Sequence, residues 1–200
     1  MIVDERIITF INSLDTKNSE ILEDIEREAL ADNVPIIRRE MQSFLKVLLM
    51  VKKPMRVLEV GTAVGFSALL MSEYVPEECA ITTIENYEKR IPIARQNFVR
   101  AGKEKKITLL EGDAMDVLKT LEGPYDFIFM DAAKGQYIHF LPEILRLLAK
   151  DGVLVSDNVL QDGDVIESRF AVTRRNRTIH KRMREYLYTL THSEELVTAV

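Results

Sequence analysis

Two hundred residues, 46% of them apolar, suffice for one domain with a full core, so neither a disulfide framework nor a structural metal is needed to hold it. The single cysteine, Cys79, has no partner in the chain, no Cys/His group has zinc-ligand spacing, and Asp4, Glu5 and Arg6 stand where a secretory signal would be apolar. A cytoplasmic protein with no membrane span is predicted. The net charge of −5 argues against indiscriminate nucleic-acid binding, yet residues 168–184 hold seven basic side chains and no acidic one, which leaves −12 on the remainder.

Along the chain, apolar residues recur at helical spacing at Ile7, Phe10, Ile11 and Leu14, then at Ile21, Leu22, Ile25 and Leu30, with a third helix over about 39–51. Such a segment is too short for a core of its own. Residues 1–52 are therefore read as a helical lid that packs on the rest, or across a subunit interface, within one domain spanning 1–200. From residue 53 onward short β-branched runs alternate with amphipathic stretches. Strands are predicted at 56–60, 80–85, 107–111, 127–131 and 153–157, with helices at about 66–74, 87–101, 115–121 and 137–149. Nearly continuous apolar strands call for helices on both faces, which is a doubly wound α/β fold. A last helix over 178–190 puts Ile179, Met183, Tyr186 and Leu190 on one face and Arg174, Arg177, Lys181 and Arg184 on the opposite one, and a strand is expected at 196–200.

The strongest local signal is the run from Val57 to Ser67, a strand entering a glycine turn and then a helix. Gly61 permits close backbone approach to a ligand and Gly65 opens a helix whose free N–H groups attract acceptors. The spacing is not G-x-G-x-x-G, and Glu59 would repel a pyrophosphate while suiting a ligand with an ammonium group. Glu85, at the end of the second strand, can accept from both hydroxyls of a ribose; Asp113, after the third, can face an adenine edge. Read singly, each of these is an ordinary turn or surface cap. Three at successive strand ends form a ligand site, because open α/β sheets bind outside those ends. Asp131, Asp157 and Asn158, at the ends of the fourth and fifth strands, make an all-oxygen set suited to a hard cation such as Mg²⁺; the alternative for Asp157-Asn158 is a helix cap or turn. Near such a cation Lys134 would favour its neutral form and serve as a base, whereas His139 and His180 read as packing.

On these residues the chain resembles the class I S-adenosylmethionine-dependent methyltransferases, and within them the cation-dependent O-methyltransferases similar to catechol and caffeoyl-CoA O-methyltransferases. The resemblance runs over about 34–200 and is carried by Leu58-Glu-Val-Gly-Thr-Ala-Val-Gly-Phe-Ser, Asp131-Ala-Ala-Lys-Gly-Gln-Tyr and Asp157-Asn-Val-Leu. It implies a Rossmann-like methyltransferase fold. Glu59, Gly61 and Ser67 would hold the methionine part of S-adenosylmethionine, with Thr62 and Gly65 in the same motif and Ile37 reaching over from the lid. Glu85 would take the ribose, and Asp113 and Ala114 would meet the adenine. Asp131, which also borders the cofactor, would ligate Mg²⁺ with Asp157 and Asn158, and Lys134 would be the catalytic lysine. The family's usual further hairpin and strand after 196–200 are missing, and a homodimer is expected.

The basic stretch bears on the acceptor. Small catechols need no basic helix, whereas Arg38, Arg39, Arg174, Arg175, Arg177 and Lys181 could neutralise phosphates. The arginine-rich stretch and the 131–137 run also resemble the bacterial tRNA 5-hydroxyuridine methyltransferase branch, whose base carries a hydroxyl beside a carbonyl and so copies the catechol chelate. Phe66, Tyr137 or Phe170 would stack the base. Three readings stay open: tRNA methylation, methylation of small catechols, and a non-catalytic tRNA-binding module. A merely solvated basic face is the bland alternative.

Overall fold

In the computed structural model, residues 4–200 are described. Three helices come first, α1 (Glu5–Ser13), α2 (Glu20–Ala31) and α3 (Arg39–Lys52). Then follow β1 (Arg56–Val60), α4 (Phe66–Glu73), β2 (Ala80–Glu85), α5 (Ile91–Arg100), β3 (Ile107–Glu111) and α6 (Ala114–Thr120). The chain continues through β4 (Tyr125–Met130), α7 (Tyr137–Leu147), β5 (Leu148–Ser156) and α8 (Arg177–Thr191), with short 3-10 turns at Lys134–Gln136 and Gln161–Ile166.

All strand pairs are parallel and the order is β3-β2-β1-β4-β5. The winding direction therefore reverses at β1, and the crevice beyond its C-terminal end is where such sheets bind ligands. Val57, Phe127 and Phe129 face a core shared with α2, α3, α4 and α5; Leu58, Ile128 and Met130 face the other, shared with α6, α7 and α8. Because a strand alternates its side chains, each β1 and β4 residue serves one face or the other, and both faces are covered. The predicted α/β architecture is the one observed. Among the described residues no helix is long and apolar enough to cross a membrane.

Several predicted bounds shift for local reasons. The helix expected from 87 begins at Ile91, where Pro92 occupies the first turn that tolerates it. The helix expected to reach 149 stops at Leu147, since Leu148 is already extended and pairs with Tyr125; β5 then bulges through Asp151, at φ 62, and Gly152 before resuming opposite Phe127. Arg174 lies in the turn before α8, not on the helix, so the basic face is split between a loop and a helix. The strand expected at 196–200 is not formed: these residues are irregular and have no strand partner.

Candidate active site

The C-terminal ends of β1 to β4 surround a cavity of about 660 Å³. Ile37 closes it from the segment before α3, with Pro35 and Ile36 beside it. Its floor is the β1–α4 turn, from which Gly61, Thr62 and Ser67 contribute. Glu85, Asp113 and Ala114 supply one side, and Asp131, Lys134 and Asn158 the other.

Gly61 is held at φ 104 and its N–H donates to Ile84 O, which ties the turn to β2. A Cβ there would lie inside contact distance of the Asp131 carbonyl, so glycine is demanded both by the backbone angle and by the approach of β4. Gly65, at φ 84, caps α4 under the Phe98 ring and does not line the cavity; its work is to let helix and ring close together.

Glu59 also lies outside the cavity wall, fully buried beneath it. Its Oε2 accepts from Thr83 Oγ1 at 2.5 Å, Thr83 in turn bonds Thr62 Oγ1 at 2.6 Å, and Oε1 has no hydrogen-bond partner. Burial raises its pKa from 4.5 to about 8, against the opposing pull of the Ser67 and Thr83 hydroxyls; Asp131 and Glu85 add repulsion. A buried carboxyl with one unsatisfied oxygen below the cavity floor is what a cationic ligand above it would ionise.

Glu85 is fixed by three backbone donors: Ala63 N at 2.7 Å, Asn86 N at 3.0 Å and Tyr87 N at 2.9 Å. A carboxylate has about four acceptor sites, so one remains for a ligand hydroxyl. Asp113 caps α6 through Met115 N at 2.8 Å, which occupies one oxygen and leaves the other facing out.

Asp131 and Asp157 end adjacent strands, with Met130 opposite Ser156 and Asp157 N donating to Met130 O. Their proximity, after burial, is what raises the Asp157 pKa; Lys134, the Asn158 N–H and Arg38 act in the opposite direction. The Lys134 ammonium sits 2.6 Å from Asp131 Oδ1, a cation already placed between β4 and β5. Asn158, at φ 57, directs its amide nitrogen to Asp157 Oδ2 at 2.9 Å, so its Oδ1 is left to accept elsewhere. Two carboxylates and an amide oxygen at neighbouring strand ends are the donor types that a hard divalent ion takes. The set is divided between two hollows: Asn158 lines the main cavity, while Asp157 faces a second recess of about 380 Å³ that Asn158 also lines.

Tyr137 is completely buried and cannot stack a base. Its hydroxyl donates to Met130 O at 2.9 Å and receives Lys134 Nζ at 3.0 Å, so it holds the lysine. Phe66 is buried as well, and of the three aromatic candidates Phe170 alone is exposed, at 86%. His139 is exposed rather than packed, because its α7 position points away from the sheet; His180 is buried with Nε2 3.1 Å from Glu167 O. Arg39 is not available to phosphates, since Glu23 and the buried Glu26 hold it at 3.2 and 2.7 Å and join the start of α3 to α2. Arg38 pairs with Asp162 at 2.9 Å. Arg177 Nε donates to Val172 O, while Arg174, Arg175 and Lys181 are exposed and without an ion pair among the described residues. Arg182 of α8 donates to Gly135 O at 3.1 Å, which seats this helix on the Lys134–Gln136 turn.

Sequence reasoning missed Thr83, which links Glu59 to Thr62. Its place opposite Glu59 is set by the parallel register of β1 and β2, which leaves no signal in the sequence.

The model of a family described as O-methyltransferase matches residues 12–192. The chain belongs to this family. It is 34% identical over 128 residues to a catechol O-methyltransferase of Niastella koreensis, covering 62% of this chain and 58% of that one. It is also 34% identical over 133 residues to caffeoyl-CoA O-methyltransferase 2 of Populus trichocarpa, covering 62% and 52%. The matches thus span little more than half the length of these relatives. Among solved structures, the SAH-bound methyltransferase PaMTH1 of Podospora anserina superposes with a TM-score of 0.85 at 26% identity, over 95% of this chain and 86% of that one.

Proposed function

We propose that residues 1–200 form one methyltransferase domain, with 1–52 as its lid, that moves a methyl group from S-adenosylmethionine to one hydroxyl of a vicinal oxygen pair, and that the acceptor is 5-hydroxyuridine in tRNA, yielding 5-methoxyuridine. Glu59, Gly61 and Ser67 would hold the cofactor's ammonium end, Glu85 its ribose and Asp113 and Ala114 its adenine, with Ile37 excluding water above. Mg²⁺ or another hard divalent cation at Asp131, Asp157 and Asn158, when bound, supplies the positive charge against which the acceptor hydroxyl ionises. Lys134 Nζ, steadied by the Tyr137 hydroxyl, would serve as the base in its neutral amine form, which a divalent cation at Asp131 would favour, and would take the hydroxyl proton to become the ammonium. The cavity walls would bring nucleophile and methyl group together, and such positioning would supply most of the rate gain.

The observation that carries the tRNA reading is the set of cations without an ion pair among the described residues, Arg174, Arg175 and Lys181, on a segment whose helix rests against the Lys134–Gln136 turn. Modified nucleosides in total tRNA from a deletion strain and its parent, compared by mass spectrometry, test it: 5-methoxyuridine should vanish and 5-hydroxyuridine accumulate. Undiminished 5-methoxyuridine refutes it. Small catechols form the second reading, favoured by the names of the relatives. A non-catalytic tRNA-binding module would have no use for Asp131, Lys134, Asp157 and Asn158 as they stand. The protein works in the cytoplasm as a homodimer: Phe10 of α1, Leu14 just after it, and Val47 and Val51 of α3 are apolar and each more than 60% exposed, side chains that a second copy would cover.

A further inference from the structure

The recess of about 380 Å³ beside the main cavity starts at Asp157 and Asn158 and is walled on its far side by Arg38, Glu40, Met41 and Phe44. An acceptor whose reacting oxygen lies at Asp157 and Asn158 has this recess for the rest of its body. Met41 and Phe44 offer apolar contact. Among the described residues Arg38 is the only cation on the wall, and Glu40, in the first turn of α3, is placed where the helix N-terminus attracts its charge.

Arg38 is held in place by a pair that a ligand can displace. Its backbone caps α3, and the next residue, Arg39, is locked to Glu23 and Glu26, so the start of the helix is fixed. Its guanidinium meets Asp162 at 2.9 Å with both side chains more than half exposed, at 56% and 70%. Such an exposed pair is weak and exchanges readily for another oxyanion. Asp162 is brought there by a left-handed run in which Gln161, Asp162 and Gly163 all have positive φ. The run sets a carboxylate at the rim of the recess while Arg184 and Asn176 pin neighbouring residues Val165 and Asp164 to α8.

Resting on the reading of this site as an O-methyltransferase centre, we infer that Arg38 selects acceptors carrying a carboxylate or phosphate beyond the vicinal oxygen pair, with Asp162 as the counter-ion that such a group displaces. A guanidinium binds either oxyanion through paired N–H donors, which is why the two chemistries share the site.

Two matched acceptor pairs separate the sources: catechol against 3,4-dihydroxybenzoate, and 5-hydroxyuridine against its 5′-monophosphate. For each pair the ratio of kcat/KM, charged over neutral, is measured in the wild type, Arg38→Gln, Arg38→Lys and Asp162→Asn. In at least one pair Arg38→Gln should lower that ratio about tenfold, Arg38→Lys should restore part of it, and Asp162→Asn should raise it. Ratios that do not move in either pair overturn the inference, as do equal losses on both members, which would mark a structural role. Calorimetric titration of the same compounds, with S-adenosylhomocysteine and Mg²⁺ present, distinguishes the two failures. Binding that follows Arg38 without methyl transfer would sink the enzymatic reading alone; binding indifferent to Arg38, or no binding at all, would sink the inference.

Discussion

Glu59 gives the sharpest prediction because its environment sets both a sign and a scale. In the unfolded chain its carboxyl ionises near 4.5, and in the folded protein near 8. Between those values the folded state keeps a proton that the unfolded state has lost, so this group's contribution to stability is complete below pH 4.5, falls as pH rises, and is gone above pH 8. At about 1.4 kcal/mol per pH unit, the interval bounds the loss near 5 kcal/mol. Glu59→Gln keeps the shape, accepts from Thr83 as before, and never ionises. Urea unfolding of the ligand-free protein at pH 5, 6.5 and 8 should show the variant gaining on the wild type by several kcal/mol across the series, with similar m-values throughout. The same variant should lose affinity for S-adenosylmethionine, because the charge that answers its ammonium is gone. Stability curves that run parallel across this pH range would refute the assignment of burial as the dominant cause, whatever happens to binding.

Gly61→Ala should cost about 2–5 kcal/mol, from a strained positive φ together with overpacking against the Asp131 carbonyl, and should abolish cofactor binding by calorimetry; a variant with an unchanged Tm and Kd would show that β1 and β4 can separate freely. Lys134→Ala should reduce turnover about 10²–10⁴-fold while leaving S-adenosylmethionine affinity within a few-fold, and excess EDTA should abolish turnover of the wild type; full activity under chelation would remove the divalent ion from the chemistry. Charge reversal at Arg174, Arg175 and Lys181 should flatten the salt dependence of tRNA methylation and spare that of catechol, whereas equal loss on both would indicate damage to α8. Val47→Asp combined with Phe10→Asp should shift the protein to a monomer by light scattering, and an unaltered mass would place the subunit contact elsewhere.

The alternation of apolar runs was enough to predict the parallel sheet, since buried strands have no polar face to disguise them. The strand-end acids were equally legible, because a carboxylate just beyond an apolar run is an event in the sequence itself. The pairing of Glu59 with Thr83 was not, as it depends on the register between β1 and β2. Nor was the fate of the arginines. Arg38 and Arg39 are neighbours of the same type in the same helix start, yet Arg39 is spent on Glu23 and Glu26 while Arg38 meets an exposed carboxylate 124 positions away.

Residue types and their spacing along the chain determined the fold, the family and the set of groups at the strand ends, since these follow from local periodicity and from motifs of fixed length. Tertiary structure decided which of those groups are open to a ligand and which are consumed in holding the protein together. Burial, hydrogen-bond partners and counter-ions come from segments far apart in sequence. Thus Tyr137 became a prop for Lys134 instead of a stacking surface, and Asp157 came to face a different hollow from Asp131.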